Sequence, residues 1–266
     1  MLELNKVYNE DCLIGMQKLD DSSIDLVVTS PPYDNLRSYN GFSFNYKDTI
    51  KQLYRVIKDG GVVIWVVNDQ TINGSETGSS FKQALCFIEN GFNLHDTMIY
   101  QKQNYIPLTH NRYEQSFEYM FCFSKGKPKT FNPIMIPCKN AGKIESYGLS
   151  RRSSLDNNQA MRSCEETTYR ETKDTKIHPN IFTYVCGTVK SGHPAAFPDQ
   201  LAIDMVKSWS NKYDVVLDPF IGSSTTAVAC IKLNRNYIGF EISEQYCDIA
   251  NRRIKDTLNK VDGKLF

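Results

Sequence analysis

What this chain lacks narrows what it can be. None of its 266 residues fall in a run of about 18 consecutive apolar positions, so the sequence offers no membrane-spanning helix. The opening Met1-Leu2-Glu3-Leu4-Asn5-Lys6 shows no basic-then-apolar secretory pattern. A soluble cytoplasmic protein with no membrane partner is the expectation. The eight cysteines stand at 12, 86, 122, 138, 164, 186, 230 and 247, with no Cys-x-x-Cys pair and no matching histidine spacing, which argues against a metal site. Most sit inside apolar runs and read as buried thiols. Net charge is only +1, so bulk electrostatics announces no polyanion partner. No internal repeat or low-complexity run is present.

What remains is an ordinary globular composition at a length suited to one large α/β domain, or one and a half. Seven short apolar runs read as strands, at 6–12, 24–28, 62–67, 92–102, 118–124, 215–218 and 236–241. Helical patterns separate most of them, near 46–57, 78–90, 199–210, 223–233 and 244–258. Such alternation predicts a mostly parallel sheet of seven strands with an antiparallel edge and helices on both faces.

Two strand ends carry the chemistry. The run Ile24-Asp25-Leu26-Val27-Val28 stops at Thr29-Ser30-Pro31-Pro32-Tyr33, because two prolines cannot continue a strand. Each proline fixes its own φ and extends the residue before it, so a hydroxyl, a backbone carbonyl and an aromatic face are held in one arrangement. A plain proline-rich turn is the simpler reading of these five residues alone. The second strand end, Val215-Val216-Leu217-Asp218-Pro219-Phe220-Ile221-Gly222-Ser223, opens into a small-residue turn and then a helix. Glycine there lets backbone approach a ligand closely, and the helix start offers free N–H groups. The loop lacks the Gly-Lys-Ser/Thr ending that grips phosphates, which disfavours a nucleotide hydrolase. Glu241 falls about twenty residues beyond the glycine, where a dinucleotide fold places its ribose-binding carboxylate.

Taken together, the Ser-Pro-Pro-Tyr corner, His193-Pro194-Ala195-Ala196-Phe197-Pro198 and Asp218-Pro219-Phe220-Ile221-Gly222-Ser223 resemble the β-group of amino-methylating DNA methyltransferases, the N4-cytosine/N6-adenine family. In that family the catalytic motif precedes the cofactor motif along the chain. The resemblance implies a Rossmann-like methyltransferase fold with permuted motif order, S-adenosyl-L-methionine as cofactor and double-stranded DNA as partner. It implies a catalytic half at 1–124, a target-recognition region at 125–190 and a cofactor half at 191–266. Ser30, Pro31, Pro32 and Tyr33 become the expected catalytic residues. Asp11, Cys12, Thr29, His193, Pro194, Phe197, Asp218, Pro219, Phe220, Gly222, Ser223 and Glu241 become the expected cofactor contacts, with Asp218 facing the ammonium and Glu241 the ribose. Asp11 has a second reading as a helix N-cap, and the two roles are compatible. A cognate restriction endonuclease and a homodimer are left open.

The segment 125–176 holds 11 Lys and Arg against 6 Asp and Glu, a surplus of about +5 on an otherwise slightly acidic chain. A basic insert of this kind suits phosphate contact, and a solvated loop is the alternative. Arg37, His110, Arg112, Arg151, Arg152 and Arg162 are the candidates for touching DNA. Pro137-Cys138 has the form of a cytosine-carbon methylase nucleophile, but its surroundings do not.

The resemblance also implies the reaction. An exocyclic amine shares its lone pair with the base ring, and two acceptors, the Ser30 hydroxyl and the Pro31 carbonyl, would localise that pair once the base is flipped out and stacked on Tyr33. Serine at position 30 leans toward cytosine N4, with adenine N6 as the alternative. An RNA or protein methyltransferase and a non-catalytic DNA-binding module are the remaining rivals.

Overall fold

A computed structural model describes residues 2–32, 45–105, 112–148, 167–185 and 198–262. It divides into two compact units, one made of Met1–Asn132 with Asn180–Phe266, the other of Pro133–Pro179.

The larger unit begins with strand β1 (Lys6–Asn9) and helix α1 (Cys12–Gln17), and Asp11 caps that helix by accepting the Leu13 N–H at 2.8 Å. Strand β2 (Ile24–Thr29) leads to α2 (Tyr46–Val56), which passes straight into β3 (Ile57–Val67). A two-residue-per-strand hairpin, β4 (Thr71–Ile72) and β5 (Ser75–Glu76), precedes α3 (Ser79–Glu89). Then come β6 (Asn93–Lys102) and β7 (Phe117–Ser124). The smaller unit holds β8 (Met135–Pro137), β9 (Ile144–Gly148), β10 (Thr167–Glu171) and β11 (Thr175–Ile177), paired antiparallel as β8 with β11 and β9 with β10. The chain returns through β12 (Ile181–Tyr184), α4 (Asp199–Trp209), β13 (Val215–Asp218), α5 (Thr225–Leu233), β14 (Asn236–Glu241) and α6 (Glu244–Asp262).

Among the described residues the main sheet has eight strands, in the order β1-β14-β13-β2-β3-β7-β6-β12. All run parallel except β7, which is antiparallel to both β3 and β6. The seven strands expected from sequence are all present, and β12 is an eighth. It escaped notice because it is short and alternates exposed Ile181 and Thr183 with buried Phe182 and Tyr184 inside a polar stretch. The reversed strand also lies inside the sheet, not at its edge. Edge position depends on which strands pair, and local sequence does not encode that.

Strand β3 shows why the sheet centre reads as an unbroken apolar run. Val62 through Val67 are buried on both faces, as parallel strands covered by helices require. Val63, Trp65 and Val67 join a core with Met16 of α1, Leu53 of α2 and Phe87 of α3. Phe87 stacks on Phe123 at 4.0 Å between ring centroids and meets Trp65 edge-on at 5.1 Å. On the other side α4 packs on α5 and α5 on α6.

The decisive feature for function is the pairing of β2 with β13. Val216 lies opposite Leu26 and Leu217 opposite Val27, so two segments far apart in sequence end side by side and point the same way. In open α/β sheets the carboxyl ends of such strands are where ligands bind.

Candidate active site

The glycine loop is built by what β13 can no longer do. Pro219 ends the strand, and the chain turns through Gly222 at φ +47° and Ser224 at φ +67° before α5 begins at Thr225. Strand β14 holds the turn from one side: the Ile221 N–H donates to the Phe240 carbonyl at 3.0 Å, and the Gly222 N–H donates to Glu241 Oε2 at 3.1 Å. Glycine is needed at 239 for this contact, since a Cβ there would stand 2.2 Å from Ile221 Cδ1 and 2.9 Å from Ile221 Cβ. From α6, Arg253 reaches the Ser223 carbonyl at 2.8 Å and the Thr225 hydroxyl at 3.2 Å, with its other nitrogen on Asp199 at 2.5 Å.

Glu241 sits at the end of β14 with one oxygen on Gly222 and the other accepting the Ser243 N–H at 2.8 Å. Burial raises its pKa, while those two N–H donors oppose the rise. Asp218, at the end of β13, is more deeply enclosed. Its Oδ1 accepts from the Thr29 hydroxyl at 2.6 Å and the Phe220 N–H at 3.1 Å, and its Oδ2 accepts from the Thr226 hydroxyl at 2.7 Å. Burial pushes the Asp218 carboxyl up to about 6 in spite of these donors.

Beside the loop, β2 ends at Thr29, which is fully buried; Ser30 is half-buried and Pro31 buried. One strand further, where β3 ends, a polar network closes the neighbouring floor. Asn68 Oδ1 accepts from Gln115 Nε2 at 2.9 Å, and Asp69 Oδ1 accepts the Ser80 N–H at 2.9 Å, which supplies α3 with the N-terminal acceptor that Gly78 lacks. Trp65 anchors the same floor, its indole N–H on Gln83 Oε1 at 2.8 Å and its ring 6.4 Å from Phe220. On the far side of β14, Asn9 Nδ2 donates to the Glu241 carbonyl at 2.9 Å, which ties the β1 end, and Asp11 with it, to the same rim.

The expected site residues thus fall into groups. Ser30, Pro31, Pro32, Gly222 and Glu241 meet at adjacent strand ends, with Asp11 and Cys12 at the end of β1, the next strand beyond β14. Thr29, Asp218 and Ser223 belong to the same rim but turn their polar groups inward, toward one another or Arg253. Cys12 is buried beside Asp11, and burial pushes its thiol up to about 12. Pro219 is buried and Phe220 half-buried. Arg112, expected at DNA, donates to the Gly74 carbonyl at 2.6 Å and the Thr71 hydroxyl at 3.2 Å, bracing the β4–β5 hairpin. Tyr33, Arg37, His110, Arg151, Arg152, Arg162, His193, Pro194 and Phe197 lie outside the described residues. Sequence reading missed Arg253, Thr226 and the Asn68–Asp69 network. The Ser-Ser-Thr-Thr run gave a signal for Thr226, whereas Arg253 looks like any polar position of an amphipathic helix.

The donors and acceptors left over suit a nucleoside bearing a charged tail. Glu241 accepts two N–H bonds of the roughly four lone-pair directions a carboxylate offers, which leaves capacity for the two ribose hydroxyls of S-adenosylmethionine. Glu10 Oε1, at the β1 end, and Ser224 Oγ, in the loop, are buried and make no hydrogen bond among the described residues. Polar capacity of this kind at a glycine turn fits the cofactor.

Comparison with known proteins agrees. A family model described as DNA methylase matches residues 24–252. The orphan methyltransferase M.BamHII of Bacillus amyloliquefaciens is 49% identical over 261 residues, covering 93% of this chain and 96% of the relative. The type II methyltransferase M1.MboII of Moraxella bovis is 28% identical, covering 94% and 96%. Among solved structures, the PvuII DNA methyltransferase (cytosine-N4-specific) superposes with a TM-score of 0.66 at 18% identity, over 96% of this chain and 92% of that one. The M1.HpyAVI complex with S-adenosylmethionine gives 0.61 at 23% identity, over 93% and 98%, and both likenesses concern the fold. The matched span takes in the proline corner, the glycine loop and Glu241, and with it this chain belongs to the N6/N4 DNA methylase family, whose members are DNA methyltransferases that use S-adenosylmethionine.

Proposed function

We propose that the chain methylates the exocyclic N4 amine of a cytosine rotated out of duplex DNA. The observation that carries this reading is the Thr29–Asp218 hydrogen bond of 2.6 Å, which sets the Ser30 corner directly beside the cofactor loop. The serine at position 30 favours cytosine over adenine.

Bound S-adenosylmethionine supplies a methyl group on a sulfonium, ready to leave. The work of this chain is on the acceptor. The Ser30 hydroxyl oxygen and the Pro31 carbonyl accept the two N–H bonds of the amine, turning its lone pair out of conjugation and toward the methyl carbon. Held by Glu241 and the Gly222 turn, the cofactor would supply the methyl group and leave as the neutral thioether, and the methylated amine would give up one proton to solvent. The prolines keep both acceptors aimed, and placing two reactants in attack geometry contributes on the order of 7–11 kcal/mol. Tyr33 stacks on the extruded base, offsetting part of the few kcal/mol that unstacking costs. In this reading the segment 125–190 reads the target sequence, with Arg151, Arg152 and Arg162 at phosphates or base edges, and the enzyme works in the cytoplasm.

The test is to incubate the protein with plasmid DNA and isotopically labelled S-adenosylmethionine, digest to nucleosides and weigh the products. Labelled N4-methylcytosine, abolished by Ser30→Ala, is the expected result. N6-methyladenine alone overturns the base assignment, and full activity in Ser30→Ala overturns the role of the corner.

A further inference from the structure

We propose that Asp218 is a positioning residue that locks the catalytic corner to the cofactor loop and makes no contact with the cofactor itself. This rests on the reading of Ser30 given above. It departs from the expectation that an acid at the start of such a loop faces the cofactor's ammonium group.

The geometry is that of a closed brace. Asp218 is 2% exposed, and its partners Thr29 and Thr226 are 0% and 1% exposed, so none of the three side chains presents a polar atom to a ligand. Each carboxylate oxygen is already engaged: Oδ1 with the Thr29 hydroxyl and the Phe220 N–H, Oδ2 with the Thr226 hydroxyl. The three residues come from β2, β13 and α5, and Thr29 and Asp218 are 189 positions apart in sequence. Thr29 immediately precedes Ser30, and Phe220 is two residues before Gly222. One carboxylate therefore fixes the last buried residue before the acceptor hydroxyl and the first turn of the loop that holds the methyl donor.

Thr226 completes the brace. Its hydroxyl has one proton and two acceptors in reach, Asp218 Oδ2 at 2.7 Å and the Val28 carbonyl at 3.1 Å. An amide at 218 would satisfy the same network: its oxygen would accept from Thr29 and Phe220, its NH₂ would donate to the Thr226 oxygen, and the Thr226 proton would turn to Val28. Asp218→Asn is therefore an isostere of the brace, but it removes the charge that an ammonium ligand would need.

The experiment measures S-adenosylmethionine affinity by calorimetry and single-turnover methyl transfer at saturating cofactor and DNA, with rates normalised to cofactor-binding sites. Asp218→Asn is expected to bind the cofactor within about three-fold of the parent, since no cofactor contact is lost. Thr29→Val is expected to lower the transfer rate about 10- to 100-fold at nearly unchanged cofactor affinity, the scale of loss that a misplacement near 1 Å produces, while Thr29→Ser restores most of it. Ten-fold or greater loss of affinity in Asp218→Asn would make the carboxylate a cofactor ligand and overturn the proposal. So would a Thr29→Val enzyme that transfers at the parental rate. The second outcome, with Ser30→Ala inactive, sinks the brace while leaving the corner's role standing; an active Ser30→Ala removes the corner itself.

Discussion

Replacing Gly239 by alanine tests whether the cofactor loop depends on its contact with β14. The added methyl would stand 2.2 Å from Ile221 Cδ1, 2.9 Å from Ile221 Cβ and 3.0 Å from Ile221 Cγ1. Rotating χ1 moves the δ-carbon aside, but it does nothing for the β-carbon, which moves only with the backbone. The loop must therefore lift by several tenths of an ångström, against an Ile221–Phe240 hydrogen bond of 3.0 Å and a Gly222–Glu241 bond of 3.1 Å. Overpacking of this kind costs about 1–3 kcal/mol. If Glu241 and Gly222 hold the cofactor as proposed, Gly239→Ala is expected to lower the urea midpoint and to weaken S-adenosylmethionine binding by about ten-fold, the equivalent of about 1.4 kcal/mol. Truncating Ile221 to alanine removes the obstructing γ- and δ-carbons. The double variant is then expected to bind the cofactor more tightly than Gly239→Ala alone, a non-additivity readable in a double-mutant cycle. Parental stability and affinity in Gly239→Ala would refute the account of the loop.

Ser224 holds a left-handed conformation at φ +67° and buries a hydroxyl that has no partner, so Ser224→Gly is expected to raise unfolding free energy by about 1 kcal/mol in urea titration; a loss of stability would contradict this. Arg253→Ala strips the Ser223 carbonyl of its donor and separates the loop from α4, so cofactor affinity should fall by about ten-fold by calorimetry, corresponding to the 1–3 kcal/mol of an unmet buried acceptor; unchanged affinity would show the clamp to be idle. Burial lifts Asp218 from 3.8 to about 6, so the fold favours its neutral form, and the stability this contributes is complete below about pH 4 and lost as pH rises through 6. The full window is worth roughly 3 kcal/mol, about half of it between pH 5 and 8. Asp218→Asn should therefore gain on the parent in urea titrations as pH rises from 5 to 8, and a constant difference would contradict the shift.

Much of the site was readable before any coordinates, for a physical reason. Prolines, a glycine turn and a strand-end acid each impose a local conformation, so Ser30-Pro31-Pro32, Gly222 and Glu241 could be placed at strand ends from their neighbours alone. The spacing of Glu241 from Gly222 proved to be a hydrogen bond. What sequence did not disclose depends on long-range pairing. The edge strand β12 is four residues long, the reversal of β7 inside the sheet follows from strand order, and the inward turn of Asp218 toward Thr29 requires knowing that β13 lies against β2. Arg112 shows what local sequence leaves out. A basic loop residue suggested a phosphate contact, and its guanidinium also donates to a hairpin some forty residues earlier.

The adjacency of β2 and β13 also has a consequence during synthesis. Strand β2 waits for a neighbour made nearly 190 residues later, so loop closure must be completed before the middle of the sheet is whole. A ribosome that has translated the proline corner, the hairpin and the insert has made a polypeptide still without a donor cleft. On the proposed reading the cofactor side is the last to be completed, since Gly222, Glu241 and Arg253 all follow the insert in the chain.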